Sequence, residues 1–291
     1  MDGVTLDIAG GSFTVLLGPS GCGKSTLLRT VNALVKPQSG RVTIDGNDVA
    51  ATDGTQLRRG IGYVIQAVGL FSHMTVGENI AVVPSLLHWA PARTNKRVDE
   101  LLDLVGLAPG RYRNRYPREL SGGEQQRVGV ARAIAAEPRV LLMDEPFGAV
   151  DAILRAELQD EMLRIVRSLK TTVLFVTHDV EEALRLADRI VVMREGRVEQ
   201  YDTPLRILTK PATPFVAQLL GADDTLRRLS LMCAGDAAVE GESATAETID
   251  AGTSLRDALN RLLGGATRLA VVRDGARIGS LGMDEIRRAL Q

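Results

Sequence analysis

Short apolar runs punctuate the chain. Phe13-Thr14-Val15-Leu16-Leu17 leads into a glycine-rich stretch, and similar runs recur at Val140-Leu141-Leu142-Met143, Thr172-Val173-Leu174-Phe175-Val176 and Arg189-Ile190-Val191-Val192-Met193. Such runs, with little polar alternation, predict strands buried on both faces. Helix-length amphipathic segments, such as 127–136 and 152–168, lie among them. Strands alternating with helices predict parallel βαβ units, and so an α/β fold with a covered parallel sheet. Between 71 and 138 the strand-like runs disappear. Residues 76–87, interrupted at Pro84, and 94–105 show helical spacing, which predicts a helical insertion in the α/β core. Near Gly221 the character changes. Residues 234–247 are rich in Ala, Gly, Glu and Ser and predict a linker. Beyond it the pattern predicts a helix over 255–263, a strand over 268–272, a turn at Asp274-Gly275, a second strand near Ile278 and a helix over 283–290.

Composition narrows the classes. The 291 residues carry 35 Lys+Arg against 36 Asp+Glu, with 45% hydrophobic and 24% charged, as in an ordinary folded protein. A net charge of −1 argues against a general nucleic-acid binder, and aromatics at 3% argue against stacking platforms for single strands. No stretch approaches about 18 consecutive apolar residues, so no membrane-spanning helix is predicted. Two cysteines, Cys22 and Cys233, cannot build a disulfide framework and point to a reducing compartment.

The first candidate chemistry is a phosphate loop. Gly18-Pro19-Ser20-Gly21-Cys22-Gly23-Lys24-Ser25-Thr26 fits G-x-x-x-x-G-K-[ST] between a strand and a helix. Its glycines permit close backbone approach, and successive N–H groups form an anion cradle at a helix N-terminus. Lys24 would place a charge on the β/γ-phosphates, and Ser25 would offer an oxygen to Mg²⁺. Cys22 beside Lys24 reads as a small loop residue shielded by nucleotide, without a redox role. The second half is Val140 to Met143 followed by Asp144-Glu145-Pro146. Asp144 would lie at the C-terminal end of its strand, where α/β sheets bind ligands, and help hold Mg²⁺. Glu145 would orient and deprotonate the water that attacks the γ-phosphate.

Leu120-Ser121-Gly122-Gly123-Glu124-Gln125-Gln126-Arg127 is the most specific segment. It resembles the signature motif of the ATP-binding-cassette ATPases, with Glu124 at a position more often Gln. Locally, Ser121 and Glu124 form an S-x-x-E capping box, which aims a helix N-terminus at an anion. The resemblance implies that this anion is the γ-phosphate held by a second copy in a head-to-tail dimer. It also assigns Gln66 to the Q-loop, contacting Mg²⁺ and sensing the membrane partner, and Asp151 to the D-loop, with Val150 where Leu is usual. His178 is assigned as the switch histidine on the γ-phosphate. His73 and His88 fit no motif and read as surface or packing residues. The fold implied is a P-loop cassette with a helical subdomain over about 71–138.

Tyr63-Val64-Ile65-Gln66, Gly69 to Val76, Tyr116-Pro117-Arg118-Glu119-Leu120 and Gln200-Tyr201-Asp202-Thr203-Pro204 resemble the osmoprotectant-importer subgroup of the family. That subgroup takes up glycine betaine, carnitine, choline or proline; other small-solute importers share several of these stretches. The tail, 248–259 with Arg268 to Val272 and Gly275, resembles a single cystathionine-β-synthase-type (CBS) motif, against the plainer reading of a packing or dimerisation appendage. The expected organisation is a cassette over 1–221, a linker over 222–246 and a CBS-like α+β segment over 247–291. The resemblance implies ATP and Mg²⁺ as ligands. It implies a second copy, a separate permease and, through it, an extracytoplasmic substrate-binding protein as partners, with no nucleic acid. It places the chain on the inner face of the plasma membrane, in the cytoplasm. Alternatives are an ATPase of another amino acid or polyamine importer, an ATPase-impaired remnant, and a soluble cassette protein of translation or DNA repair. Cassettes usually begin with a strand and an adenine-stacking aromatic upstream of the loop. Phe13 is the one aromatic before Gly18, and it sits in the strand, so either the start lies upstream of Met1, which is expected, or adenine is bound differently.

Overall fold

The computed structural model describes residues 1–65, 69–148, 152–222, 224–239 and 247–290. Gln66 and Asp151, with Val150, lie outside the described residues. The chain forms two compact units, Met1–Glu199 and Gln200–Gln291.

In the first unit, strand β1 (Phe13–Leu17) feeds helix α1 (Lys24–Val31). A hairpin of β2 (Thr43–Ile44) and β3 (Asn47–Asp48) follows, then α2 (Gly54–Arg59) and β4 (Ile61–Val64). Four helices come next: α3 (Val76–Leu86), α4 (Pro91–Leu104), α5 (Pro109–Tyr112) and α6 (Gly122–Ile134). The chain then alternates through β5 (Val140–Asp144), α7 (Ala152–Leu169), β6 (Thr172–Thr177), α8 (Val180–Leu186) and β7 (Arg189–Arg194), and β8 (Arg197–Asp202) runs on past Glu199. The predicted strands and the helical stretch are therefore present. Helix α3 runs through Pro84 instead of stopping there, at the loss of one backbone donor. Strand β4 is unpredicted because Gly62 interrupts its apolar run, although Gly62 still pairs with Leu141 of β5. That glycine lets α6 approach, since a Cβ there would lie 2.5 Å from the Ala133 carbonyl oxygen.

The main sheet has the order β4-β5-β6-β1-β7-β8. β4, β5, β6, β1 and β7 pair in parallel, as the uninterrupted apolar runs require. Leu16, Leu17, Leu141, Leu142, Met143 and Phe175 are fully buried, and Phe175 meets the rings of Phe13 and Phe147. The register matters for the site. Leu17 pairs with Thr177, and Asp144 with Val176, so β1, β5 and β6 end at one level.

The second unit holds α9 (Pro204–Thr209), α10 (Pro214–Leu220), α11 (Thr225–Leu231) and α12 (Ala234–Ala237). It continues with β9 (Thr248–Asp250), α13 (Leu255–Leu263), β10 (Leu269–Arg273), β11 (Ala276–Leu281) and α14 (Met283–Ala289). Its sheet has the order β11-β10-β9. The linker expected over 222–246 is corrected for 224–239. Asp224 caps α11 by accepting from the N–H groups of Leu226 and Arg227, and Leu229 and Ala234 are buried in the unit's core. Small residues misled the reading because here they permit close packing. A Cβ on Gly235 would lie 3.1 Å from the Ala251 carbonyl oxygen.

Candidate functional site

The phosphate loop joins β1 to α1. Gly18 has φ 154, and a Cβ there would sit 2.2 Å from the Met193 carbonyl oxygen, so no larger residue fits. Gly23, at φ 108, caps α1 without a side chain, leaving the first N–H groups of the helix for an anion. Pro19, Ser20, Gly21 and Thr26 are exposed, while Cys22 and Lys24 are buried. Lys24 Nζ donates to the Gly18 carbonyl at 2.6 Å and to that of Pro19 at 3.0 Å. The ammonium is thus held against the loop, next to where a phosphate would lie. Cys22 and Cys233 are free thiols, and Cys22 Sγ lies 4.0 Å from Lys24 Nζ.

The equal strand ends bring the Asp144-Glu145 carboxylate pair to this loop. Ser25 Oγ donates to Asp144 Oδ1 at 2.7 Å, and Arg29 faces Asp144 Oδ2 at 3.7 Å. Ser25 and Asp144 together make a hard-oxygen donor set that fits Mg²⁺, which typically takes one or two carboxylates and completes its shell with phosphates and water. Among the described residues no cluster of three or more metal-ligating side chains exists. Glu145 follows the strand at φ 46, a left-handed backbone rare for a side chain of its size. Its N–H donates to the Val176 carbonyl at 3.0 Å and its carbonyl accepts from Gly148 N–H at 3.2 Å. This kink turns the carboxylate to His178, whose Nδ1 is 3.3 Å from Glu145 Oε2. The imidazole is mostly exposed and the carboxylate mostly covered.

The Ser121 segment forms the expected capping box on α6. Ser121 Oγ accepts the Glu124 N–H at 3.3 Å, and Glu124 Oε2 accepts the Ser121 N–H at 2.7 Å. Gly122 opens the helix with nothing within 4 Å of an added Cβ, and Gly123 is buried in the first turn. The Tyr112 hydroxyl donates to Glu124 Oε1 at 2.7 Å and, ahead of the Ser121 N–H, holds that carboxyl below the usual carboxylate range. Tyr112 escaped the sequence reading, since nothing in local spacing links it to a residue twelve positions on. His73 and His88 are exposed, as expected.

The structure therefore brings the Gly18–Thr26 loop, Asp144, Glu145 and His178 together at one end of the sheet. Ser121, Gly122, Gly123 and Glu124 stand at the start of α6 in the helical region. A phosphate cradle, a parallel sheet with its carboxylates at the strand ends, and a helical insertion bearing a capped signature helix define a P-loop cassette. Residues 1–148 match the family model described as ABC transporter. The chain belongs to the ABC transporter family. It is 51% identical over 246 residues to the osmoprotectant import ATP-binding protein OsmV of Salmonella typhimurium, covering 84% of this chain and 64% of that protein. It is 49% identical over 258 residues to the glycine betaine uptake system ATP-binding protein YehX of Escherichia coli, covering 88% of this chain and 83% of that one. Among solved structures, the ATP-binding cassette MJ0796, a dimer in a post-hydrolysis state with ADP and Pi, superposes with TM-score 0.62 at 33% identity. That match covers 68% of this chain and 88% of MJ0796. No helix among the described residues is long and apolar enough to cross a membrane.

Proposed function

We propose that this chain is the ATP-hydrolysing subunit of an importer for an osmoprotectant, either a quaternary amine such as glycine betaine or choline, or proline. The observation that carries the reading is the Ser25–Asp144 hydrogen bond beside the Lys24 loop, with Glu145 and His178 at the same strand ends. Lys24 leaves its two carbonyl partners for the β/γ-phosphates. Ser25 and Asp144, with Gln66, would hold Mg²⁺, which would supply charge neutralisation on the phosphate oxygens. Glu145 takes the proton of the attacking water, and His178 steadies the γ-phosphate. Ser121, Gly122, Gly123 and Glu124 present the α6 N-terminus to the nucleotide of a second, head-to-tail copy, with Asp151 at that interface. The dimeric state of MJ0796 supports this arrangement.

Closing and reopening of that dimer would drive a separate permease, with the chain at the inner face of the plasma membrane and a substrate-binding protein delivering solute from outside. The names of the OsmV and YehX relatives support the solute class. Residues 247–291, with the order β9, α13, β10, β11, α14, support the reading of one CBS-like regulatory segment. The test is uptake by proteoliposomes holding this chain, its permease and its substrate-binding protein. Glycine betaine, carnitine, choline and proline are each offered beside an amino acid and a polyamine panel. Uptake of a quaternary amine that Glu145→Gln abolishes is expected. Uptake confined to the other solutes would sink the assignment.

A further inference from the structure

His178 sits on a two-residue turn between β6 and α8, and the groups holding that turn are buried. Thr177, the last residue of β6, is 2% exposed. Its Oγ1 donates to Glu182 Oε2 at 2.6 Å and accepts the Asp179 N–H at 2.9 Å. Glu182 Oε1 accepts from Gln159 Nε2 at 2.9 Å, and Gln159 on α7 is 4% exposed. Asp179 caps α8 by accepting the N–H groups of Glu181 and Glu182, and its other oxygen faces Arg155 of α7 at 3.6 Å. Both neighbours of His178 are therefore tied down, and both ties lead to α7.

Glu182 is the costly member. It lies on the buried face of α8 with Ala183, Leu184 and Leu186. A carboxylate in such a place loses solvation that only directed donors offset. Burial accordingly raises its pKa, against the pull of the Thr177 hydroxyl. A leucine would fill the volume without that cost, but could accept neither hydrogen bond. What the carboxylate alone supplies is two acceptors, one for Gln159 on α7 and one for the residue before His178. Glu182 also lines the same corner as the reacting groups, since Glu182, Glu145 and His178 border one small pocket.

We propose that Glu182, braced by Gln159, is a positioning residue that fixes the His178 imidazole against Glu145 through Thr177. This rests on the reading of His178 as the γ-phosphate contact. Both of its carboxylate oxygens are taken, by Gln159 and Thr177, so its loss should slow the chemical step and leave ATP binding alone.

The experiment measures ATP hydrolysis by the full-length chain for four variants, with His178→Ala as a control. Glu182→Gln exchanges one of the two acceptor oxygens for an N–H donor, so either Gln159 must turn its amide or Thr177 loses its acceptor, and kcat should fall at least ~10-fold with KM for ATP within ~2-fold. Glu182→Leu should do the same. Gln159→Glu alone sets two carboxylates face to face and should also lower kcat. The swap Gln159→Glu with Glu182→Gln rebuilds the donor–acceptor pair and should return kcat to within ~3-fold of the unmodified chain. The proposal stands if both Glu182 variants lose kcat at constant KM and the swap restores it; any other combination overturns it. If His178→Ala itself turns over normally, the reading of His178 has failed. If His178→Ala is inactive while Glu182→Leu is normal, only the brace has failed.

Discussion

Replacing Ser121 separates a helix cap from a phosphate contact. The Ser121 hydroxyl accepts one N–H, that of Glu124, at a long 3.3 Å, and Ser121 is exposed. The reciprocal bond uses the Ser121 backbone N–H, which any substitution but proline keeps. Glu124 also stays anchored to Tyr112. Ser121→Ala therefore removes half of a capping box in contact with water, at a cost of about 0.5–1 kcal/mol, and Ser121→Gly only a few tenths of that unit. At about 2–4 °C per kcal/mol for a chain of this size, alanine should lower the melting temperature by only a few degrees and glycine by less.

The catalytic reading makes a different demand. If the hydroxyl donates to the partner copy's γ-phosphate, its loss removes a hydrogen bond to a charged group, about 1.5–3 kcal/mol. That is a fall of roughly 10- to 150-fold in turnover, equal for alanine and glycine because neither carries the hydroxyl. Thermal melts and ATP hydrolysis at rising protein concentration measure both quantities on the same samples. Turnover within ~3-fold of the unmodified chain for both variants would leave Ser121 as a cap alone and refute its role in trans.

Gly62→Ala should destabilise the first unit, because its Cβ would meet the Ala133 carbonyl at 2.5 Å and Leu141 Cδ1 at 2.8 Å. Overpacking of this kind costs about 1–3 kcal/mol, and a melt unchanged from the parent would show that α6 is free to move away from β4. Glu285 is buried on α14, where it accepts the Gly282 N–H and pairs with Arg268 and Arg288. Burial alone would push its pKa up, but backbone donation and Arg268 outweigh it, and the net shift is downward. Its contribution is therefore present above the ordinary carboxylate pKa of about 4.3 and lost as pH falls through the lower folded value. The melting-temperature gap between the parent and Glu285→Gln should be wide at neutral pH and narrow in acid; an equal gap at both would contradict the downward shift.

What could be read from the sequence follows from where the chemistry is local. The phosphate loop, the Asp144-Glu145 strand end and the S-x-x-E cap are each written within nine residues, because one turn and its flanking elements impose the spacing. The four apolar runs were legible for a related reason: a strand covered on both faces has nowhere to place a polar side chain. Strand β4 was less so, since Gly62 interrupts its run to make room for α6. The β2–β3 hairpin pairs only two residues on each side, too few to show a period.

Non-local packing accounts for the rest. Segment 234–239 has a linker's composition and a core's environment, and only its partners decide between them: Ala234 N–H donates to the Thr253 carbonyl, and Gly235 N–H to that of Ala251. Small residues mark either a chain that nothing touches or one that backbone approaches closely. The His178 turn makes the same point for the site. His178 could be placed by order along the chain, but the bond from Gln159 to Glu182 spans 23 positions and two helices. No spacing rule connects an amide and a carboxylate that far apart. The groups that would touch the nucleotide are thus written in short motifs, while the groups that aim them are set by the fold, through α7 for His178 and through Tyr112 for the α6 cap.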